Sequence, residues 1–297
     1  MDSRSEIKEF LASRRARVTP QDAALAAYGR NRRVAGLRRE EVALLAGVSV
    51  DYYVRVERGN LRGVSEQVLD SLARALQLDE AERAHLFDLA RAANAGPAAR
   101  RRASVQRVRP SVQRTLDLVA APAWVRNARH DIVAANRLGC ALYSELLSDP
   151  VSPPNTARYV FLNPRSSEFF VDWERAADDI AAMLRSEAGR NPYDKALTDL
   201  IGELSTRSEA FRTRWAAHDV RFHRRGRKQL RHLVVGDLDL SFEAMELPGE
   251  DLTMVVYTAE PGSPSQEALD LLASWAATLD GEHDGRQRPA PAQPAER

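Results

Sequence analysis

The feature that most constrains the fold is the stretch Leu37–Gly59, two helical runs separated only by Gly47-Val48-Ser49. Glycine ends helices because it enters the left-handed region without a Cβ penalty, and serine is among the best residues to begin one. Helices joined by so short a turn pack at a steep angle, which lets the second project into a DNA major groove. On its wheel Tyr53 and Val56 fall to one side, and Asp51, Arg55 and Arg58 to the other. Arginine pairs with guanine acceptors and aspartate accepts from the cytosine amino group, so the outer side carries base-reading chemistry. The plainer alternative, solvated charges on a small bundle, leaves the set of spacings unexplained.

Residues 1–91 read as five helices, an all-α domain. Ile7, Phe10, Leu11 and Arg14 share a face of the first helix. Thr19-Pro20 then offers a cap with proline at the first helical position and Asp22 as capping partner. Tyr28–Gly36, with Arg30, Arg32 and Arg33 and no acid, reads as an exposed basic loop. Ser65 opens a helix with Val68, Leu69, Leu72 and Leu76 inward, and Asp79 with Glu82 forms a capping box for a helix through Arg91. Residues 92–110 are expected to be a basic linker: from Arg91 to Arg109 there are six arginines and no acid.

Charge divides the chain at the same place. The total is +1, yet residues 1–110 sum to +7 and residues 111–297 to −6. A basic segment ahead of an acidic one is a cue for a nucleic-acid module joined to something else. Cys140 is the only cysteine, which excludes an intrachain disulfide and argues against a cysteine zinc site. No stretch reaches the ~20 apolar residues of a membrane helix, and the charged start MDSRSEIKEF lacks a secretory core. The expected location is the cytoplasm, with no membrane partner.

Residues 111–280 read as an α+β domain with an antiparallel sheet, and residues 281–297 as a disordered tail. Ala123–Asn127 and Asp131–Asn136 make a hairpin around Ala128-Arg129-His130. Ser166–Glu187 has the spacing of one long amphipathic helix, Asn191-Pro192 caps another to about Thr206, and Glu209–Ala217 is a third. Leu238–Ala244 alternates strictly and is flanked by strands at Gln229–Val235 and Leu252–Ala259. Ser263-Pro264-Ser265-Gln266 opens a last helix to about Leu279.

Val42-Ala43, Gly47-Val48-Ser49, Glu57-x-Gly59 and Leu69-x-x-Leu72-Ala73-x-x-Leu76 together resemble the Xre, or phage-repressor-like, helix-turn-helix. The resemblance implies backbone contacts from Arg38 and Arg39. It implies a recognition helix begun by Ser49 and presenting Val50, Asp51, Tyr52 and Arg55, and phosphate contacts from Arg58, Asn60 and Arg62. The family's buried arginine–glutamate pair maps to Arg14 and Glu57, across an insertion over residues 19–36. Farther on, Trp124–Asn136, Asn155-x-Ala-Arg-Tyr-Val-Phe161, Trp173-Glu174, Trp215–Val220 and Val235-Gly236-Asp-Leu-x-Leu240 resemble the MmyB-like regulators. That implies a PAS-like ligand-binding domain with an elongated pocket able to hold a fatty acid, in regulators of actinobacterial type linked to antibiotic metabolism. Ala135 stands where that family often has tryptophan.

Candidates for the ligand are Asn136, Arg158, Tyr159, His218, His232, Trp124 and Trp173. His232 shares parity with Leu230 and Val234, and His218 with Val220 and Phe222, so both are expected to face an apolar interior. For either histidine a core residue bonded to backbone is the competing reading. For Asn136 it is a helix cap, for Arg158 a surface ion pair, and for the tryptophans the core. His218, His223 and His232 lie close in sequence, but opposite parity and the lack of a fourth ligand argue against a metal. No GxSxG, P-loop or Cys–His arrangement suggests catalysis, and no cofactor is expected. The expectation is therefore a regulator that binds a palindromic DNA operator as a homodimer and responds to a small apolar ligand such as a fatty acid. A DNA-tethered enzyme acting on acyl substrates and a ligand-free protein-interaction module are the alternatives. The first would show turnover lost with His218 or His232, the second a protein partner without a small molecule.

Overall fold

The structure, a computed structural model, describes residues 3–25, 34–94, 108–148, 153–248 and 251–287. The described residues form two compact units, one from Met1–Val105 with Glu174–His223, the other from Gln106–Trp173 with Arg224–Arg297. The segment 174–223, read from sequence as part of the C-terminal domain, therefore packs with the N-terminal helices.

The N-terminal helices are α1 (Ser3–Arg17), α2 (Arg39–Ala46), α3 (Val50–Glu57), α4 (Glu66–Ala75) and α5 (Glu80–Asn94). Their ends follow local rules. Gly47 stops α2 at φ 67°, Ser49 Oγ accepts from the Tyr52 N–H, and Ser65 Oγ accepts from that of Val68. Asp79 and Glu82 exchange side-chain bonds with each other's N–H groups at 2.8 and 3.1 Å. Thr19 and Asp22 also exchange bonds, but residues 20–24 make only a turn. The basic loop with Arg30, Arg32 and Arg33 lies outside the described residues, as does linker segment 95–107. Phe10, Leu11, Leu37, Val42, Tyr53, Val56, Leu69, Leu72 and Leu86 share one core, which Val220 joins.

In the other unit α6 (Pro110–Leu118) precedes a hairpin of β1 (Ala123–Asn127) and β2 (Ile132–Ala135). Short helices follow: α7 (Arg137–Leu142), α8 (Ser144–Leu147), α9 (Thr156–Leu162) and α10 (Ser166–Phe169). The chain then forms α11 (Trp173–Arg190), α12 (Lys195–Arg207) and α13 (Glu209–Ala216) before returning to β3 (Arg225–His232), β4 (Gly236–Leu247), β5 (Leu252–Thr258) and α14 (Pro264–Gln287). The strands make one antiparallel sheet in the order β2-β1-β5-β4-β3, so the domain is α+β as its alternating pattern implies. Leu238, Leu240 and Phe242 are buried, matching their shared parity.

Four local expectations change. The single helix read over Ser166–Glu187 is broken, because Phe170 turns extended and bridges to Leu230 of β3. Helix α12 is capped by Asp194, whose carboxylate accepts from the Leu197 N–H, and not by Asn191. Residues 233–235 form the β3–β4 turn, since Gly236 at φ 76° can close it. Helix α14 runs to Gln287, past the point where the tail was expected; residues 288–297 lie outside the described residues. No described helix is long and apolar enough to cross a membrane.

Candidate DNA-reading face and ligand recess

Helices α2 and α3 present the residues marked from sequence. Arg39, Ser49, Val50, Asp51, Arg55, Arg58, Asn60 and Arg62 are exposed, and Arg38 and Tyr52 half-buried. The Arg38 N–H donates to the Glu41 carboxylate at 2.6 Å, fixing the start of α2, while its guanidinium sits 3.6 Å from Glu40. Arg55 lies 4.8 Å over the Tyr52 ring, a cation–π contact that holds the side chain along the helix surface.

Beneath this face Glu57 is a buried hub. It accepts from Arg15 at 2.6 Å, from Arg39, and from the Tyr53 hydroxyl at 3.3 Å. Burial works to raise the Glu57 carboxyl, but the bonds from Arg15 and Arg39 outweigh it and hold it below its ordinary value. The arginine of α1 that pairs with buried Glu57 is therefore the half-buried Arg15 and not Arg14. One residue is ~100° of helix rotation. That step turns Arg14 away, to Glu82 at 3.0 Å and to the backbone carbonyl of His218. Arg39 ties α2 to the end of α3, so it contributes to positioning the helix pair.

A second buried charge cluster joins α1 and α5 to segment 174–223. Arg185 of α11, 1% exposed, pairs with Glu6 and donates to the Trp215 carbonyl, its guanidinium 4.0 Å over the Trp215 ring. Burial works to raise the Glu6 carboxyl; the imidazoles of His218 and His85 and the charge of Arg185 pull it below the usual carboxylate range. His85 is fully buried and pushed toward its neutral form by desolvation. Its ring packs on Gly189 so closely that a Cβ there would lie 2.4 Å from it. His218 belongs to this cluster: it follows α13 at φ 55°, with Nε2 3.0 Å from Glu9 and Nδ1 3.6 Å from Glu6. The strand parity that placed it beside a ligand does not apply, because the residue lies in a turn.

In the sheet unit Tyr159 and His232 do come together, around a recess with Leu142, Tyr143, Glu145 and Phe169 among its walls. The room it encloses is about 10 Å³, enough for about one water molecule, and the rest opens to solvent. Tyr143 and Tyr257 hydroxyls meet at 2.7 Å, and the Trp124 ring lies 5.8 Å from that of Tyr143. Burial raises the Tyr143 hydroxyl well above its ordinary value and takes that of Tyr257 to about 12. His232 Nδ1 accepts from the Val234 N–H at 3.2 Å, and Nε2 lies 3.1 Å from the Ala141 carbonyl. That pattern fits the neutral ring protonated at Nε2, and desolvation also favours the neutral form.

The other candidates sit apart from the recess. Asn136 caps α7, accepting from Gly139 and Ala123 and donating to Val119 and Ala121, which uses its whole amide. Trp173 Nε1 is shared between the Val160 carbonyl and Ser166 Oγ. Arg158 is half-buried on α9 beside Tyr159 but does not line the recess. Glu145 and Tyr143 also line the recess and were not among the residues marked from sequence. The available signal was an acid flanked by Leu142, Leu146 and Leu147.

Among the described residues no group of three or more metal-ligating side chains comes together. Residues 6–86 match the family model of a helix-turn-helix domain. Residues 108–272 match that of the MmyB-like transcription regulator ligand binding domain. No curated protein matches the chain. The second match spans more than half of the sequence, and the chain belongs to the MmyB-like transcription regulators, DNA-binding proteins that carry a helix-turn-helix and a ligand-binding domain.

Proposed function

We propose that the chain reads a specific, palindromic operator as a homodimer in the cytoplasm and that an acyl-like apolar molecule, a fatty acid or a relative of one, shifts its operator affinity. The observation that carries the DNA half is the outward face of α3, where Val50, Asp51 and Arg55 stand exposed above Tyr53, Val56 and Glu57, all buried. Exposed groups at the start of a helix held by a capped turn have the arrangement of base readers. A single motif covers one half-site, and two-fold pairing suits a palindrome. The ligand half rests on the recess around Tyr159 and His232. The protein acts by linkage and not by turnover: a ligand shifts DNA affinity by no more than its differential affinity for the two states.

The test is binding to a duplex selected from a random pool, compared with its scrambled version. Arg55→Ala should cost about 1–3 kcal/mol on the selected duplex and little on the scrambled one; Arg38→Ala should weaken both alike. Equal losses for Arg55→Ala on both duplexes would refute the readout assignment. For the ligand, native mass spectrometry of freshly purified protein should reveal a co-purified apolar mass, and its absence together with turnover of acyl substrates would favour an enzyme.

A further inference from the structure

We propose that Asn94 is a positioning residue for DNA binding: it holds the turn at residues 59–63 in the shape that carries Arg62 to a phosphate. The inference rests on the reading of α2, α3 and the turn after them as the DNA-contacting face. That turn is held at three points. Gly59, at φ 92°, packs so closely on α1 that a Cβ there would lie 2.4 Å from the Arg4 carbonyl oxygen. Leu61 is fully buried in the core of the N-terminal helices. The Gly63 N–H donates to Asn94 Oδ1 of α5 at 3.0 Å. Between these anchors Asn60 and Arg62 stand exposed.

Of the three, the Asn94 bond bears on Arg62 most directly, because the Gly63 N–H belongs to the peptide that joins Arg62 to Gly63. Gly63 itself gives the turn no stiffness: it lies at φ 73°, and a Cβ there would meet nothing within 4 Å. Asn94 has the geometry to supply it. Its Nδ2 donates to the Ala90 carbonyl at 2.8 Å, one helical turn back, which leaves the amide oxygen facing Gly63. Gly63 is exposed, so water can satisfy its N–H once Asn94 is gone, and the fold should stay nearly as stable. What disappears is order. Without the bond, Arg62 and its peptide must be immobilised when DNA binds, and that entropy then opposes binding.

The test is a double-mutant cycle on the full chain, read as affinity for the selected duplex and for its scrambled version. Arg62→Ala should weaken both and flatten the slope of log affinity against log salt by about 0.9. Asn94→Ala should weaken both by about two- to tenfold, with a thermal midpoint near that of the wild type. In the Arg62→Ala background, Asn94→Ala should have almost no further effect, because Asn94 acts through Arg62. A merely structural loss would add in full. An Asn94→Ala protein that binds as the wild type does would overturn the inference and leave the DNA-reading face as assigned. So would an Asn94→Ala loss that persists undiminished beside Arg62→Ala. Arg62→Ala without effect on either duplex would remove the phosphate contact from the turn, and the inference with it. A wild-type chain that binds neither duplex would overturn the DNA reading itself.

Discussion

The helix-turn-helix unit keeps Arg14, Arg185, Glu6, Glu57 and Glu82 almost wholly from solvent, whereas the sheet unit places Tyr143 and a neutral His232 at its recess, with Tyr257 bonded to Tyr143. Ions drawn out of water demand partners at fixed positions, because an unpaired buried charge costs several kcal/mol. Hydroxyls and a neutral imidazole can change partners at a lower cost. The contrast teaches that paired ions hold the first unit to a single arrangement, while the polar groups gathered in the second can exchange partners at lower cost.

The strongest way to break this comparison is Arg185→Leu. Leaving Glu6 buried without its cation should cost about 3–5 kcal/mol in urea denaturation, with a changed fluorescence of Trp215. The double variant Glu6→Leu/Arg185→Leu should recover much of that loss, since both charges leave together. A double variant as unstable as the single would show that shape, not charge, holds the cluster. Tyr143→Phe should cost less, about 1–3 kcal/mol, by leaving the Tyr257 hydroxyl without its partner.

The smallest effect is in the pH profile. His85 and His232 have folded-state pKa values below their ordinary 6.5, so the unfolded chain binds more protons as pH falls through that value. Stability should be level above about pH 7 and decline below 6.5, by at most about 1.4 kcal/mol per pH unit for each histidine. His85→Leu should reduce the slope. Glu6 and Glu57, held below their ordinary 4.5, act in a lower window: their contribution is present above 4.5 and is lost as pH falls through their folded values. A slope unchanged by His85→Leu would assign the titration elsewhere.

What was legible in sequence was what neighbours in sequence determine. Gly47 and Ser49 carry their own backbone instructions, and Leu238–Phe242 its alternation. What was not legible depended on distant partners. The break at Phe170 comes from Leu230, sixty residues on, and the setting of His218 from Glu6, more than two hundred residues back. The choice between Arg14 and Arg15 required knowing which side of α1 meets Glu57 and which meets Glu82. Of the ligand candidates, His232 was named from its parity with Leu230 and Val234 and Tyr159 from the motif that begins at Asn155, while Glu145 was passed over because burial of an acid runs against its composition rule.

The contact of His85 with Gly189 bears on how such a protein can be inherited. Segment 174–223 lies inside the span of the ligand-domain family, yet its glycine and arginine fit a histidine and a glutamate of the N-terminal helices. A recombination that exchanged only the first hundred residues would separate lock from key. Functional chimeras should therefore be those whose donors match at positions 6, 85, 185 and 189 together, whatever their similarity elsewhere.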